Sequence, residues 1–128
     1  MSKYSDLACD AANRIRSGAP VVEAWDSAAF HTFPSQPASR AKGCPKCAFL
    51  GLAEEGLIRG VPKGKYTRSH SNKSYALKAL SILQGSPELA DDPNELWDQV
   101  MDGVRKKHNQ QMNVVIGLWK GGDLRNTP

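Results

Sequence analysis

A stretch near the middle of the chain carries both a helix start signal and a helix stop signal, and it constrains the fold most. It spans residues 39–60 and reads SRAKGCPKCAFLGLAEEGLIRG. Pro45 suits the first turn of a helix, because the N–H group that proline lacks has no intrahelical partner there. Gly56 suits the left-handed position just after a helix, where Leu57 can fold back in a Schellman ending. We therefore predict a central helix from about Pro45 to Glu55.

Apolar residues also recur at helical spacing on both sides of this stretch, and glycine and proline residues separate the groups. The loop at residues 34–43 shows no period. The other predicted helices are a first ending at Gly18, a second between Pro20 and Pro34, a fourth from Ser71 or Asn72 to Gly85, a fifth opening at Asp92-Pro93 and a sixth closed by Gly121-Gly122. The large side chains expected in the core are Trp25, Phe49, Leu52, Leu80, Trp97 and Trp119.

The fifth helix has the most detailed prediction. Asp92 supplies an N-cap and Glu95 the partner of a capping box. The apolar stripe of this helix extends to Val104. The bases at residues 105–107 then suit the negative end of the helix dipole.

Length and composition favour one helical domain. The chain has 128 residues, a single-domain length that needs no disulfide or metal for stability. We expect an all-α fold, a single compact domain (1–128) of five or six helices with a long basic loop after the third. No apolar run approaches the roughly 18 residues of a membrane span, and the N-terminus is charged where a secretory signal is apolar. Three cysteines fit a reducing compartment, so we expect a cytoplasmic location.

The charge is unevenly distributed along the chain. Residues 40–73 contain eight bases and two acids, whereas residues 88–102 contain six acids and no Lys or Arg. This asymmetry can steer an anionic partner towards the basic middle. The alternative is that the two charged faces keep the protein soluble or meet each other within it.

The basic residues around the start of the central helix predict an anion-binding site. Free N–H groups and the helix dipole favour an anion there, such as a phosphate or a carboxylate of a small molecule or protein partner. The alternative is that residues 40–43 fold inward and satisfy those N–H groups. The candidate binding residues are Lys42, Gly43, Cys44 and Lys46 at the helix start, and Lys63, Lys65, Arg68 and Lys73 in or beside the following loop.

The sequence contains no catalytic signature. Cys44 and Cys47 have the spacing of a redox motif, but no strand precedes them, and they provide only half of a zinc site. We interpret Cys44 as a helix cap and Cys47 as a small, partly buried residue. Neither His31 nor His70 belongs to a catalytic motif, and His108 resembles a structural cap. We predict no metal and no cofactor.

These features leave two classes of function, with an unrecognised enzyme as a third. The first is a binding or interaction module, monomeric or homodimeric, for an anionic ligand or partner. The second is a nucleic-acid binder of the helix-turn-helix type, in which AFLGLAEEGLIRGV is followed by KGKYTR with Lys63, Lys65 and Arg68 in a wing. A pI near 9.1 and two acids in the reading helix favour the first class.

Three groups of short strings resemble a known family. They are Gly43-Cys44-Pro45-Lys46 with Ala48-Phe49-Leu50-Gly51-Leu52, then Asn72-Lys73 with Tyr75-Ala76, and then His108-Asn109 with Gln111-Met112. They resemble small bacterial proteins carried on integron gene cassettes. The resemblance covers most of the chain. It implies no activity, because that family has none that can be assigned to these residues.

Overall fold

A computed structural model, which describes residues 2–126, shows that the chain folds into helices. The elements are α1 Lys3–Arg16, α2 Val21–Thr32, the single turn α3 Pro37–Arg40, α4 Gly43–Glu54, α5 His70–Gly85, a 3-10 helix Pro87–Asp91, α6 Pro93–Met101 and α7 Gln111–Lys120. Within residues 2–126 there is no regular strand, and six of the α-helices have at least nine residues. The expected all-α fold is confirmed.

The first two helices pack side by side as an antiparallel hairpin. Gly18 lies in the turn with φ +111°, a value that favours glycine. The rings of Tyr4 and Phe33 lie 5.1 Å apart, which brings the start of α1 to the end of α2. Alanines on both helices are buried and permit a close approach of the two axes. Gly18 therefore ends the first helix, as the sequence predicts.

Helix α4 lies at the centre of the molecule. Six consecutive residues, 48–53, are buried, and six residues cover every direction around a helix. Its neighbours are α2, α5 and α7. Gly51 allows a close approach to α5, because a Cβ added there would lie 2.8 Å from the Cα of Lys73 in that helix. The helix predicted in the middle of the sequence is therefore enclosed by other helices in the fold.

The two ends of α4 differ in how well the sequence predicts them. The C-terminal end is the expected Schellman motif: Gly56 has φ +72° and donates to the Ala53 carbonyl at 2.9 Å, and Leu57 donates to Leu52 at 3.1 Å. The N-terminal end is different. The helix begins at Gly43, two residues before the expected start, and no side chain caps it.

The cysteine prediction at this N-terminus is therefore half correct. Cys44 lies inside the first turn of α4, after the N-cap position at Lys42, so its interpretation as a cap is wrong. Cys47 is partly buried, as expected.

Two further helix starts differ from the predictions. Residues 34–43 contain the short helix α3, which has proline in its first turn. Helix α5 begins at His70, and its cap is Ser69, whose hydroxyl accepts a hydrogen bond from the Asn72 N–H at 3.3 Å. The prediction of Ser71 or Asn72 as the cap is wrong, because both residues already lie in the helix.

Helix α6 is shorter than its apolar stripe predicts. It ends at Met101, since Asp102 and Gly103 both adopt positive φ. Val104 is consequently 64% exposed, and the bases at residues 105–107 lie outside the helix, so their assignment to its dipole is wrong.

At the start of α6, Asp92 caps the helix as expected by accepting from the Glu95 N–H at 3.1 Å. The reciprocal half of the capping box is not formed, because the Asp92 N–H donates to Leu89.

The start of α7 confirms the structural role expected of His108. Its Nε2 accepts a hydrogen bond from the Met112 N–H at 3.1 Å. Burial lowers the pKa of His108, which suits a neutral ring that accepts a hydrogen bond.

The buried apolar side chains form one continuous core. Of the six large side chains expected there, Trp119 is only partly buried and the other five are buried. An isolated antiparallel bridge between Ile58 and Leu124 joins the segment after α4 to the C-terminal segment. Among residues 2–126, no helix combines the length and apolar character needed to cross a membrane.

Candidate functional site

Two of the eight predicted site residues meet at one groove. We call residues 59–69 the basic loop, which connects the end of α4 to α5. The groove lies between α2, α4 and the basic loop and has a volume of about 450 Å³. We call it the α4 groove. Its lining residues are Val22 of α2, Lys46, Cys47 and Leu50 of α4, and Tyr66, Thr67 and Arg68 of the basic loop.

The α4 groove combines an apolar lining with two cations. Val22, Leu50 and the Tyr66 ring provide apolar surface. Lys46 is paired through its Nζ with an Asp26 carboxylate oxygen at 2.9 Å. The guanidinium of Arg68 makes no hydrogen bond or ion pair with any of residues 2–126, so its donors are free to contact a ligand.

The basic loop has a defined internal structure although it contains no helix or strand. The Tyr66 hydroxyl donates to the Pro62 carbonyl at 2.7 Å. Its ring lies against Gly64, where an added Cβ would be 2.6 Å from the ring carbon Cζ. The stem of Lys63 crosses Gly56 in the same manner, with Cγ 2.7 Å from an added Cβ. The loop is therefore folded on itself and against the end of α4.

One carboxylate connects this loop to the helices. Oε1 of Glu54 accepts hydrogen bonds from the Tyr66 N–H at 2.7 Å and the Thr67 N–H at 3.2 Å. Its Oε2 accepts from the Lys73 ammonium at 2.6 Å. The bond from Lys73, followed by the bond from the Tyr66 amide, lowers the pKa of Glu54 from 4.5 to about 2. This carboxylate is therefore ionised at neutral pH.

The other predicted site residues lie outside the α4 groove. Lys73 is paired with both Glu54 and Glu55, at 2.6 and 2.8 Å, and these bonds raise its pKa. The Lys42 ammonium lies 5.9 Å from the centre of the Tyr4 ring. The remaining four are Gly43, Lys63 and Lys65, which are exposed, and Cys44, which is partly buried. The structure therefore does not bring all eight residues to one ligand.

The cysteine and histidine residues do not assemble into a second centre. Across residues 2–126, there is no group of at least three His, Cys, Asp or Glu side chains placed so that they could hold a metal ion. Cys9 donates through its thiol to the Gly117 carbonyl at 3.2 Å. Burial, followed by the charge of Asp123, raises the pKa of Cys9 to about 11. This thiol is protonated at neutral pH and belongs to the contact between α1 and α7.

The structure also bears on the helix-turn-helix alternative. Within α4, which is described over its full length, only Gly43 is exposed. A reading helix has to present one face to the major groove of DNA. The basic loop, described throughout, contains no strand that could form a wing. Helix α4 therefore offers no face for reading bases.

Sequence reasoning missed most of the groove. It selected Lys46 and Arg68 for their charge but not the residues that line the groove between them, such as Leu50 and Tyr66. It also missed Glu54. An acid in the last turn of a helix is unfavourable for the helix dipole, and that local conflict was the available signal.

A protein-family model matches nearly the whole chain. Comparison of the chain with curated proteins and with solved structures found no significant match. The family model matches residues 1–125 and is described as a family of unknown function, DUF6979. Nothing in this match concerns integron gene cassettes, so that resemblance stays a prediction. Because the match covers far more than half of the sequence, the chain belongs to the DUF6979 family of unknown function.

Proposed function

We propose that the protein is a small binding module that holds an organic anion with an apolar body in the α4 groove. The observation that carries this proposal is the unpaired guanidinium of Arg68 at a groove with an apolar lining. A ligand with a carboxylate and a flat or branched hydrocarbon body matches both features.

The size and chemistry of the groove support this ligand class. A volume of about 450 Å³ lies within the usual range of roughly 300–1,000 Å³ for small-molecule sites. Such sites are largely apolar, with a few polar groups that orient the ligand. A guanidinium presents two parallel N–H donors to a carboxylate, so Arg68 can fix the anionic end while Leu50 and Val22 contact the body.

Lys46 provides a second cation for the same anion. Its present partner, Asp26, has a side chain that is 58% exposed. Exposed ion pairs contribute about 0–1 kcal/mol, so a ligand carboxylate can replace Asp26 at little cost. Lys46 then donates to the ligand from α4 while Arg68 donates from the basic loop. The anion is bound between two separate elements of the fold.

Titration calorimetry with 2-naphthoate and its neutral amide tests the proposal. We expect the parent protein to bind 2-naphthoate at least tenfold more tightly than 2-naphthamide, because only the carboxylate pairs with Arg68. The Arg68→Gln variant is expected to lose about tenfold in affinity, which corresponds to about 1.4 kcal/mol and to one charge-assisted hydrogen bond.

Lys65→Gln provides the matched control. Lys65 lies in the same loop, is exposed and carries the same charge, but it does not line the groove. Its substitution should change the affinity by less than twofold. Equal losses in the two variants would show that only net charge matters, and no binding of 2-naphthoate at millimolar concentration would refute the proposal.

A further inference from the structure

We infer that Glu54 is a positioning residue for the α4 groove, holding the loop side of the groove at the distance from α4 that ligand binding requires. This inference rests on the proposed function. Glu54 does not line the groove itself. It acts through the backbone of Tyr66 and Thr67, the two loop residues that precede Arg68.

The hydrogen bonds of Glu54 place this side of the groove directly. One oxygen, Oε1, accepts from two consecutive amides, Tyr66 at 2.7 Å and Thr67 at 3.2 Å. The backbone carbonyl of Glu54 also accepts from the Gly64 N–H at 3.4 Å. Arg68 is the next residue after this anchored pair. The position of its guanidinium therefore depends on a carboxylate that belongs to α4.

The position of Glu54 in its helix argues that loop anchoring is its main contribution. It is the last residue of α4, where the helix dipole disfavours a negative charge. Lys73 offsets that cost through a bond of 2.6 Å to Oε2, and the Glu54 side chain is only 13% exposed. The arrangement leaves Oε1 entirely to the loop amides. Glu55 also pairs with Lys73, at 2.8 Å, but accepts no bond from the loop.

Glu54→Ala and Glu55→Ala form a matched pair of variants. Both remove one carboxylate partner of Lys73, but only Glu54→Ala removes the acceptor of the loop amides. We expect hydrogen exchange at the Tyr66 and Thr67 amides to become at least tenfold faster in Glu54→Ala and to stay unchanged in Glu55→Ala. The affinity for 2-naphthoate should fall about tenfold in Glu54→Ala alone.

A conservative variant separates positioning from a general loss of stability. Glu54→Gln keeps a side-chain oxygen that can accept from both amides, so it should restore most of the amide protection and most of the affinity. The exchange rates of α1 and α7 amides report whether each variant is folded.

If Glu54→Ala does not fold, an amide titration of the parent protein replaces it. The Tyr66 and Thr67 amide shifts should then follow one ionisation with a midpoint well below 4.5.

The outcomes are distinct. Unchanged exchange at Tyr66 and Thr67 in Glu54→Ala, or amide shifts of the parent that do not titrate, would overturn the role of Glu54. Faster exchange with unchanged affinity for 2-naphthoate would overturn it too, because the loop would then be anchored without shaping the site. If 2-naphthoate fails to bind the parent protein, the proposed function is refuted. The inference about Glu54 is then overturned as well, because Glu54 would anchor the loop at a groove that binds no ligand.

Discussion

At the scale of single residues, a close contact between two helices is set by a glycine that the sequence presents as one of several. Gly117 of α7 faces Ser5 of α1, and a Cβ added there would lie 2.6 Å from the Ser5 Cα. The Ser5 hydroxyl donates to the Asn113 carbonyl at 2.7 Å, and the Cys9 thiol donates to Gly117. Helices α1 and α7 therefore touch through backbone and small side chains.

The Gly117→Ala variant should be destabilised by about 1–3 kcal/mol, because the added methyl meets backbone atoms that cannot rotate away. Urea unfolding followed by circular dichroism measures this change. Gly85→Ala is the control, since a Cβ there has no neighbour within 4 Å and its φ is not positive. That variant should be unchanged or slightly more stable. Equal stability of the two variants would mean that α1 and α7 are not in close contact.

Single residues also show where sequence reasoning ends. The pattern around Gly117 predicts a helix, because apolar residues recur on one face. It does not predict that the glycine meets Ser5, more than 100 positions away, since that contact depends on how two helices cross. The same limit applies to Glu54, whose loop partners follow it by 12 and 13 positions. Local signals predict helices, while these pairings require the folded chain.

At the scale of elements, helix ends were predicted well where one residue determines them locally. Gly18 and Gly56 both have positive φ and end their helices as expected. The end of α6 was missed because the apolar spacing continues to Val104. Asp102 adopts φ +48° and Gly103 φ +89°, so the helix stops at Met101, three residues before that stripe does. Gly103 was the local signal, and it outweighs one further apolar position.

The start of α5 allows two candidate caps to be distinguished. Ser69 accepts hydrogen bonds from the Asn72 N–H at 3.3 Å and the Asn72 side-chain amide at 3.0 Å. Ser69→Ala should therefore reduce the free energy of unfolding by about 1 kcal/mol. Ser71→Ala is the control, because Ser71 is exposed and lies within the helix. Thermal unfolding of both variants measures this difference, and a larger loss for Ser71→Ala would contradict the assigned cap.

At the scale of the whole molecule, the fold follows from the sequence more directly than the site does. Each long helix carries its own apolar stripe, so the sequence alone predicts an all-α core. The α4 groove instead draws on residues from α2, α4 and the basic loop, whose meeting no local pattern indicates. Charge alone selected Lys46 and Arg68, and it also selected Lys73, which the fold pairs with acids.

Within residues 2–126, no close ion pair joins the two charged parts of the chain. Lys120, outside the basic middle, pairs with Asp91 of the acidic segment at 2.7 Å. Within the basic middle, Lys46 pairs with Asp26, and Lys73 pairs with Glu54 and Glu55. The acidic segment thus pairs with a base outside the basic middle, and the basic middle pairs with Asp26 and with its own two acids. The bases of the basic loop remain available, which is the condition that an anion site requires.

Acid unfolding should depend on the protonation of Glu54. Its pKa is about 2 in the folded protein and 4.5 in the unfolded reference, so the unfolded state binds a proton first as the pH falls. Its contribution to stability is therefore complete above about pH 5 and is lost progressively as the pH falls towards 2. Lys73 stays charged throughout this range, because its bonds to Glu54 and Glu55 raise its pKa.

The Glu54→Gln variant isolates this effect, because it keeps the acceptor of the loop amides and cannot ionise. We expect it to be less stable than the parent protein by about 2 kcal/mol at pH 7, through loss of the charged bond with Lys73. Urea unfolding of both proteins at pH 7, 5, 4 and 3 should show this difference narrowing below pH 5. Burial lowers the pKa of His108, so acidification also destabilises the protein through this residue. Both proteins contain His108, and its effect should cancel from the difference. A difference that stays constant down to pH 3 would show that Glu54 is not held ionised by the loop and Lys73.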